Sequence, residues 1–116
     1  MECKSQFAEI VVGSKAEFDL VLSDGGRPLN LSPYTGGNLV FLNCNGVRTV
    51  VALPIPGVSP ANGIVATVVS SVQSANADEK WKDADLELIA PSAANNKVIP
   101  LYDKFKIIKR NAPPTV

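Results

Sequence analysis

The chain has 116 residues, with 11 Lys plus Arg set against 11 Asp plus Glu, a formal net charge of zero and no histidine. That length holds one domain with its own core and is short for two. The charge balance excludes a broad field that would draw in nucleic acid or an anionic membrane, and the missing imidazole removes the commonest general base, the commonest zinc ligand and every Ser-His or Cys-His pair.

The opening MECKSQFAEIVVGSK carries an acid at position 2 and lacks the apolar core of a secretory signal, so export by that route is not expected. The longest apolar runs, 50–56 and 64–69, fall short of the roughly 20 residues that span a bilayer. Apolar residues recur at period two: Phe18, Leu20 and Leu22 alternate with Glu17, Asp19 and Val21, and Ala84, Leu86 and Leu88 alternate with Asp83, Asp85 and Glu87. Such alternation gives each strand a core face and a solvent face. Strands are expected over 7–12, 17–22, 38–44, 47–53, 63–70, 84–89 and 105–109. About seven short strands in a chain of this size imply an all-β, immunoglobulin-like antiparallel β-sandwich with at most one short helix, occupying residues 1–110.

After the second strand comes SDGGRPLNLSPYTGG, with glycine pairs at 25–26 and 36–37. A phosphate cradle needs glycines between a strand and a helix, and here the β-type LNL follows instead, with no G-K-[ST]. The glycines read as turns: Asp24-Gly25-Gly26 reverses the chain, Pro28 restricts the next step, and Gly36-Gly37 releases it into 38–44. Asn45-Gly46 between the next two strands predicts a type I′ hairpin with both central residues at positive φ. Cys44 stands beside it in an apolar run. A disulfide with Cys3 is geometrically allowed, and a buried free thiol acting as a small hydrophobe is the other reading.

PIPGVSPANG, with three prolines and two glycines, is an exposed connection across the end of the sandwich. SSVQSANADEKWKDAD is the one helical piece, capped by Ser70 or Ser71, with Val72, Ala75 and Trp81 facing inward. Trp81 is a core plug or else an exposed anchor for a partner. Asp78, Glu79, Asp83, Asp85 and Glu87 are interleaved with Lys80 and Lys82, which fits a solvated face rather than a metal site, and no EF-hand pattern is present. No cofactor is expected. Lys104, Lys106, Lys109 and Arg110 alternate with Phe105, Ile107 and Ile108 as a strand with one wet face. The closing NAPPTV, within 111–116, is an extended tail.

These steps are similar to the immunoglobulin-like domain at the N-terminus of the upper baseplate protein of tailed phages. The residues that carry the resemblance are Asp24-Gly25-Gly26, Pro28, Asn30-Leu31-Ser32, Val40-Phe41, Gly63-Ile64-Val65, the 84–88 strand ADLEL and Phe105-Lys106-Ile107, spread over nearly the whole chain. The resemblance implies a non-enzymatic protein of the virion. Because members of that group continue into a helical linker and this sequence ends after NAPPTV, the expected role is a capsid decoration or cement protein; a baseplate or tail-fibre adaptor is the alternative. Its partners would be phage capsid or tail proteins, with homo-oligomers allowed by the edge strands. The segments expected to make contact are MECKSQF through Phe7, the proline-rich connection through Pro54, Pro56, Val58 and Pro60, and the tail through Pro113, Pro114 and Val116. From another class, a carbohydrate-binding module would need aromatic platforms, for which Trp81, Tyr34 and Tyr102 are the Trp and Tyr side chains available. An enzyme is the weakest reading, since acid–base groups exist without a constellation.

Overall fold

The computed structural model of the chain describes residues 8–55 and 60–109. In chain order the strands are β1 (Ala8–Val11), β2 (Ala16–Val21), β3 (Ser23–Asp24), β4 (Arg27–Pro28), β5 (Gly36–Leu42), β6 (Arg48–Leu53), β7 (Ile64–Val69), β8 (Ala84–Ile89), β9 (Lys97–Leu101) and β10 (Phe105–Ile108). One helix, α1 (Ser71–Ser74), and short 3₁₀ turns complete the elements. The fold is all-β, and each strand expected from the alternation is present to within about two residues at its ends.

β6, β5, β8 and β9 form an antiparallel four-stranded sheet in that order, and β2 and β7 form an antiparallel pair. In an immunoglobulin-like sandwich this is the C′-C-F-G sheet facing B and E. One pairing departs from the antiparallel expectation: β1 runs parallel to β10, with Ala8 opposite Phe105 and Val11 opposite Ile108. Hydrophobic faces meet between the layers, where Leu20, Leu39, Val51, Val65, Leu86 and Leu88 are all buried. An aromatic column fills the centre. Phe41 stacks on Trp81 at 4.1 Å between ring centroids, and Phe105 meets Phe41 and Phe18 edge-on at 5.2 and 5.7 Å. Trp81 is fully buried, so it is the core plug and not an exposed anchor.

The type I′ turn expected at Asn45-Gly46 forms instead at Gly25-Gly26, where the chain reverses as expected. Gly25 and Gly26 both have positive φ, at 60° and 83°, between the paired strands β3 and β4, which makes this two-residue loop the type I′ turn. At the Asn-Gly step only Gly46 is left-handed, with φ of 81°; Gly46 N–H donates to Asn43 O, and Asn43 N–H donates to Val47 O. That is a type I turn closed by a glycine bulge. Asn43 imposes it, because its Oδ1 accepts from the N–H groups of Asn45 and Val47 at 2.9 Å each, holding Cys44 and Asn45 in a tight local turn.

The second glycine pair also differs from its expected role. Gly36 and Gly37 lie inside β5, and a Cβ on Gly37 would come 2.6 Å from Ile55 Cδ1 and 2.9 Å from Glu87 O, so the strand needs a bare backbone there. Around α1, Ser70 is the cap, but Val72 is 78% exposed and Ala75 is also exposed, against the expected inward face. The helix is a single turn, and it turns Ser74 inward, whose Oγ donates to Ser14 O at 2.7 Å. Two features lay outside the strand pattern read from sequence: β9, an edge strand containing Pro100, and the short β3–β4 hairpin.

Candidate interaction surface

Of the residues expected to make contact, Pro54 is exposed at the end of β6, beside buried Ile55. Pro60 opens the 3₁₀ turn Pro60–Asn62 that leads into β7. These two flank the same connection; Phe7, Pro56, Val58, Pro113, Pro114 and Val116 lie outside the described residues.

The acids grouped in sequence are used singly. Asp78 accepts from Lys80 N–H at 3.0 Å, capping the 3₁₀ turn Glu79–Lys82, and its other oxygen accepts from Cys44 N–H at 2.8 Å. Asp83 accepts from Asp103 N–H at 2.7 Å, at the break between β9 and β10 where Asp103 has a φ of 55°. Glu87 accepts from Arg48 Nη2 at 3.2 Å and from Asn38 Nδ2 at 3.3 Å. Among the described residues no group of three or more Cys, Asp or Glu side chains converges as a metal site.

Cys44 is exposed at the hairpin tip and carries a free thiol, which corrects the buried reading. A hydrogen bond to the Asp78 carboxylate, then desolvation and the nearby negative charge, push this thiol above its ordinary range. Asp78 is held below the usual carboxylate range, chiefly by the Cys44 backbone N–H. A less acidic thiol is a poorer nucleophile at neutral pH.

Two open hollows lie at opposite ends of the strands. One, of about 540 Å³, is lined by Val12, Ala77, Asp78, Glu79, Ile107 and Lys109. The other, of about 430 Å³, lies among Pro33, Tyr34, Pro91, Asn95 and Asn96. Neither brings a nucleophile against a base. The aromatic platform of a sugar-binding module is not assembled either: Trp81 and Tyr34 are buried, leaving Tyr102, 70% exposed, alone of the three.

What the strands do assemble is an apolar outer face on the four-stranded sheet. The register sets Val50, Val40, Asp85 and Pro100 in one row and Ala52, Asn38, Glu87 and Val98 in the next, with Leu42 and Arg48 below. Val40 is 8% exposed at the middle of this face, while Leu42, Val50, Val98 and Tyr102 are exposed around it. Of the polar groups within the face, Arg48, Glu87 and Asn38 are tied to each other, while Asp85 beside Val40 is exposed. Sequence alternation alone could not reveal this face, because it places Val, Leu and Ala at positions that a solvated strand gives to polar residues.

No protein-family model matches the chain, and no curated protein sequence matches it.

Proposed function

We propose that this chain is a non-enzymatic structural protein that attaches to a larger protein lattice through the outer face of its four-stranded sheet, and that it serves as a decoration or cement protein on the capsid of a tailed phage. The observation that carries the docking role is the row Val50–Val40 with Leu42, Ala52 and Val98 around it, apolar at the centre and with its one ion pair already satisfied internally. The apolar centre of such a face gains on burial, and the exposed Asp85 carboxylate beside Val40 is the charge that a partner would have to meet with a donor or a cation. Specific attachment asks for roughly 800 Å² per partner, and many copies on a repeating surface add through multivalency. The virion setting rests on the resemblance to the immunoglobulin-like domain of upper baseplate proteins, carried by the Asp24-Gly25-Gly26 turn and the Val40-Phe41 and Phe105-Lys106-Ile107 strands.

The test is to separate purified particles into heads and tails and quantify the chain in each fraction by mass spectrometry. Hundreds of copies with heads support the decoration role, and a few copies with tails replace it by a baseplate or fibre adaptor. Absence from both overturns the virion setting. Binding of the Val50→Asp and Val98→Asp variants to particles stripped of the protein tests the face itself; occupancy equal to that of the unmodified chain would move the contact elsewhere.

A further inference from the structure

Within the docking face, beside Val40 and Leu42, lies a shallow notch of about 170 Å³. Buried Val40 and Ala84 form its base, and Leu42 and Tyr102 stand exposed beside them. Asp83, Asp85 and Lys80 complete the lining. The register places Asp85 opposite Val40 on β5 and Pro100 on β9, so its neighbours across the sheet offer its carboxylate neither a donor nor a cation.

The charges here are not equally committed. Asp83 accepts from Asp103 N–H at 2.7 Å, which ties it to the break between β9 and β10. Glu87, two residues along β8 from Asp85, is taken by Arg48 and Asn38. The Asp85 side chain has no hydrogen bond or ion pair to any described residue, and Lys80 forms none with it although both line the notch. Two carboxylates against one ammonium leave the notch negative.

The chemistry of the lining selects what a partner can place there. An apolar group would strip Asp85 of water and return nothing to it, and an acid would be repelled. A cation is attracted, and guanidinium is favoured over ammonium on two counts. Its planar fork meets a carboxylate with two parallel N–H···O bonds, and its face stacks on an aromatic ring such as that of Tyr102. The methylene stem of an arginine would then cover Leu42 and Val40. The volume suits the end of one side chain, since pockets for small molecules run to roughly 300–1,000 Å³.

We infer that the notch is the anchor point of the docking face and receives an arginine side chain of the lattice protein, its guanidinium on Asp85 and against Tyr102. The inference rests on the attachment role proposed above and names the chemistry of the partner. Val50 and Val98 then serve as surrounding contacts that exclude water from the anchor.

The first test needs no particle. Ethylguanidinium and butylammonium are titrated into the isotopically labelled full chain and followed by NMR at Leu42, Asp85 and Tyr102. Saturable shifts confined to the notch are expected with ethylguanidinium, weaker ones with butylammonium, and none in Asp85→Asn. Shifts spread evenly over exposed acids such as Glu17 and Asp19, or absent from the notch, overturn the inference. On stripped particles, Asp85→Asn should weaken binding roughly tenfold and Tyr102→Ala about threefold, with circular dichroism unchanged in both. Val50→Asp separates this inference from the reading beneath it. If Val50→Asp abolishes attachment while Asp85→Asn and Tyr102→Ala bind as the unmodified chain does, the face stands and the arginine anchor falls. If all three bind unchanged, the face falls with it. Tyr102→p-benzoylphenylalanine should photocrosslink to a lattice peptide containing arginine, and capture of an arginine-free peptide overturns the anchor.

Discussion

Trp81 shows how one side chain organises the interior. Its indole stacks on Phe41 nearly parallel, at an interplanar angle of 11°, and its Nε1 has no hydrogen-bond partner within the described structure. The ring therefore contributes through contact area and not through its polar atom. Replacing it by alanine should cost about 3–5 kcal/mol, the usual loss for a large aromatic in a core. Trp81→Phe keeps a stacked ring and removes the unpartnered donor, so its loss should be well under half of that. Urea midpoints of the two variants check the ordering, and equal losses would mean that the indole N–H is satisfied after all. Burial of this tryptophan was legible in the sequence, since a lone Trp amid solvated acids and lysines has few other places to go. The exposure of Cys44 was not, because its fate depends on Asn43 pulling the chain into a turn one residue earlier than the Asn-Gly step suggested.

The same turn couples Cys44 to Asp78, and the coupling has a sign. The raised thiol favours the folded state while neutral, so that contribution is complete below the ordinary thiol pKa and fades as pH rises through the folded one. For Asp78, with its folded pKa depressed, the contribution is present above the ordinary carboxylate pKa and is lost as pH falls below about 4 and through the folded value. Asp78→Asn retains a capping oxygen for Lys80 N–H but removes the charge. In a Cys3→Ser background, iodoacetamide should therefore alkylate Cys44 faster at pH 8 in this variant; an unchanged rate would show that the carboxylate does not hold the thiol proton.

Among the elements, α1 is four residues long yet fixes the flank between the two sheets. Ser70 and Gln73 satisfy each other, with Ser70 Oγ accepting from Gln73 N–H at 3.0 Å and Gln73 Oε1 accepting from Ser70 N–H at 2.9 Å, and the same glutamine then donates to β6. A helix this short is not stable by propensity, so its capping box and its tether to Val50 carry it. Gln73→Ala should cost about 1 kcal/mol in thermal or urea unfolding and speed amide exchange at the β6 edge; protection unchanged at that edge would deny the tether. The cap could be read from S-x-x-Q. Helix extent and inward face could not, since period-two and helical spacing both fit so few residues. β9 escaped notice for a related reason: Pro100 argues against a strand interior, but an edge strand can leave the missing N–H on its free side.

For the whole molecule, the strand alternation specified two layers, while the partner of each strand was hidden. Nothing local in AEIV or FKII announces that β1 and β10 lie side by side and parallel, because that pairing joins segments nearly a chain length apart. The docking face was hidden likewise: Val40, Val50 and Val98 converge only once β5, β6, β8 and β9 are set in register. With zero net charge and a contact centred on Val40 and Val50, attachment to particles should depend only weakly on salt, through Asp85 and the Arg48–Glu87 pair, since screening weakens only charge-driven association. Occupancy measured across a tenfold range of sodium chloride tests this. A steep fall would point to an electrostatic contact and away from the sheet face.

The parallel pairing of β1 with β10 has a mechanical meaning. The chain enters β1 beside Phe105 and leaves β10 beyond Ile108, where Val12 N–H adds a further bond to Ile108 O at 3.1 Å. Tension applied through the chain on either side therefore pulls these strands along their own length in opposite directions. Every bond of the ladder is loaded at once and must yield together, whereas a hairpin such as β5–β6, pulled at its open end, would unzip one bond at a time. A molecule strung between moving neighbours would bear force through its first and last described strands before its core felt any of it.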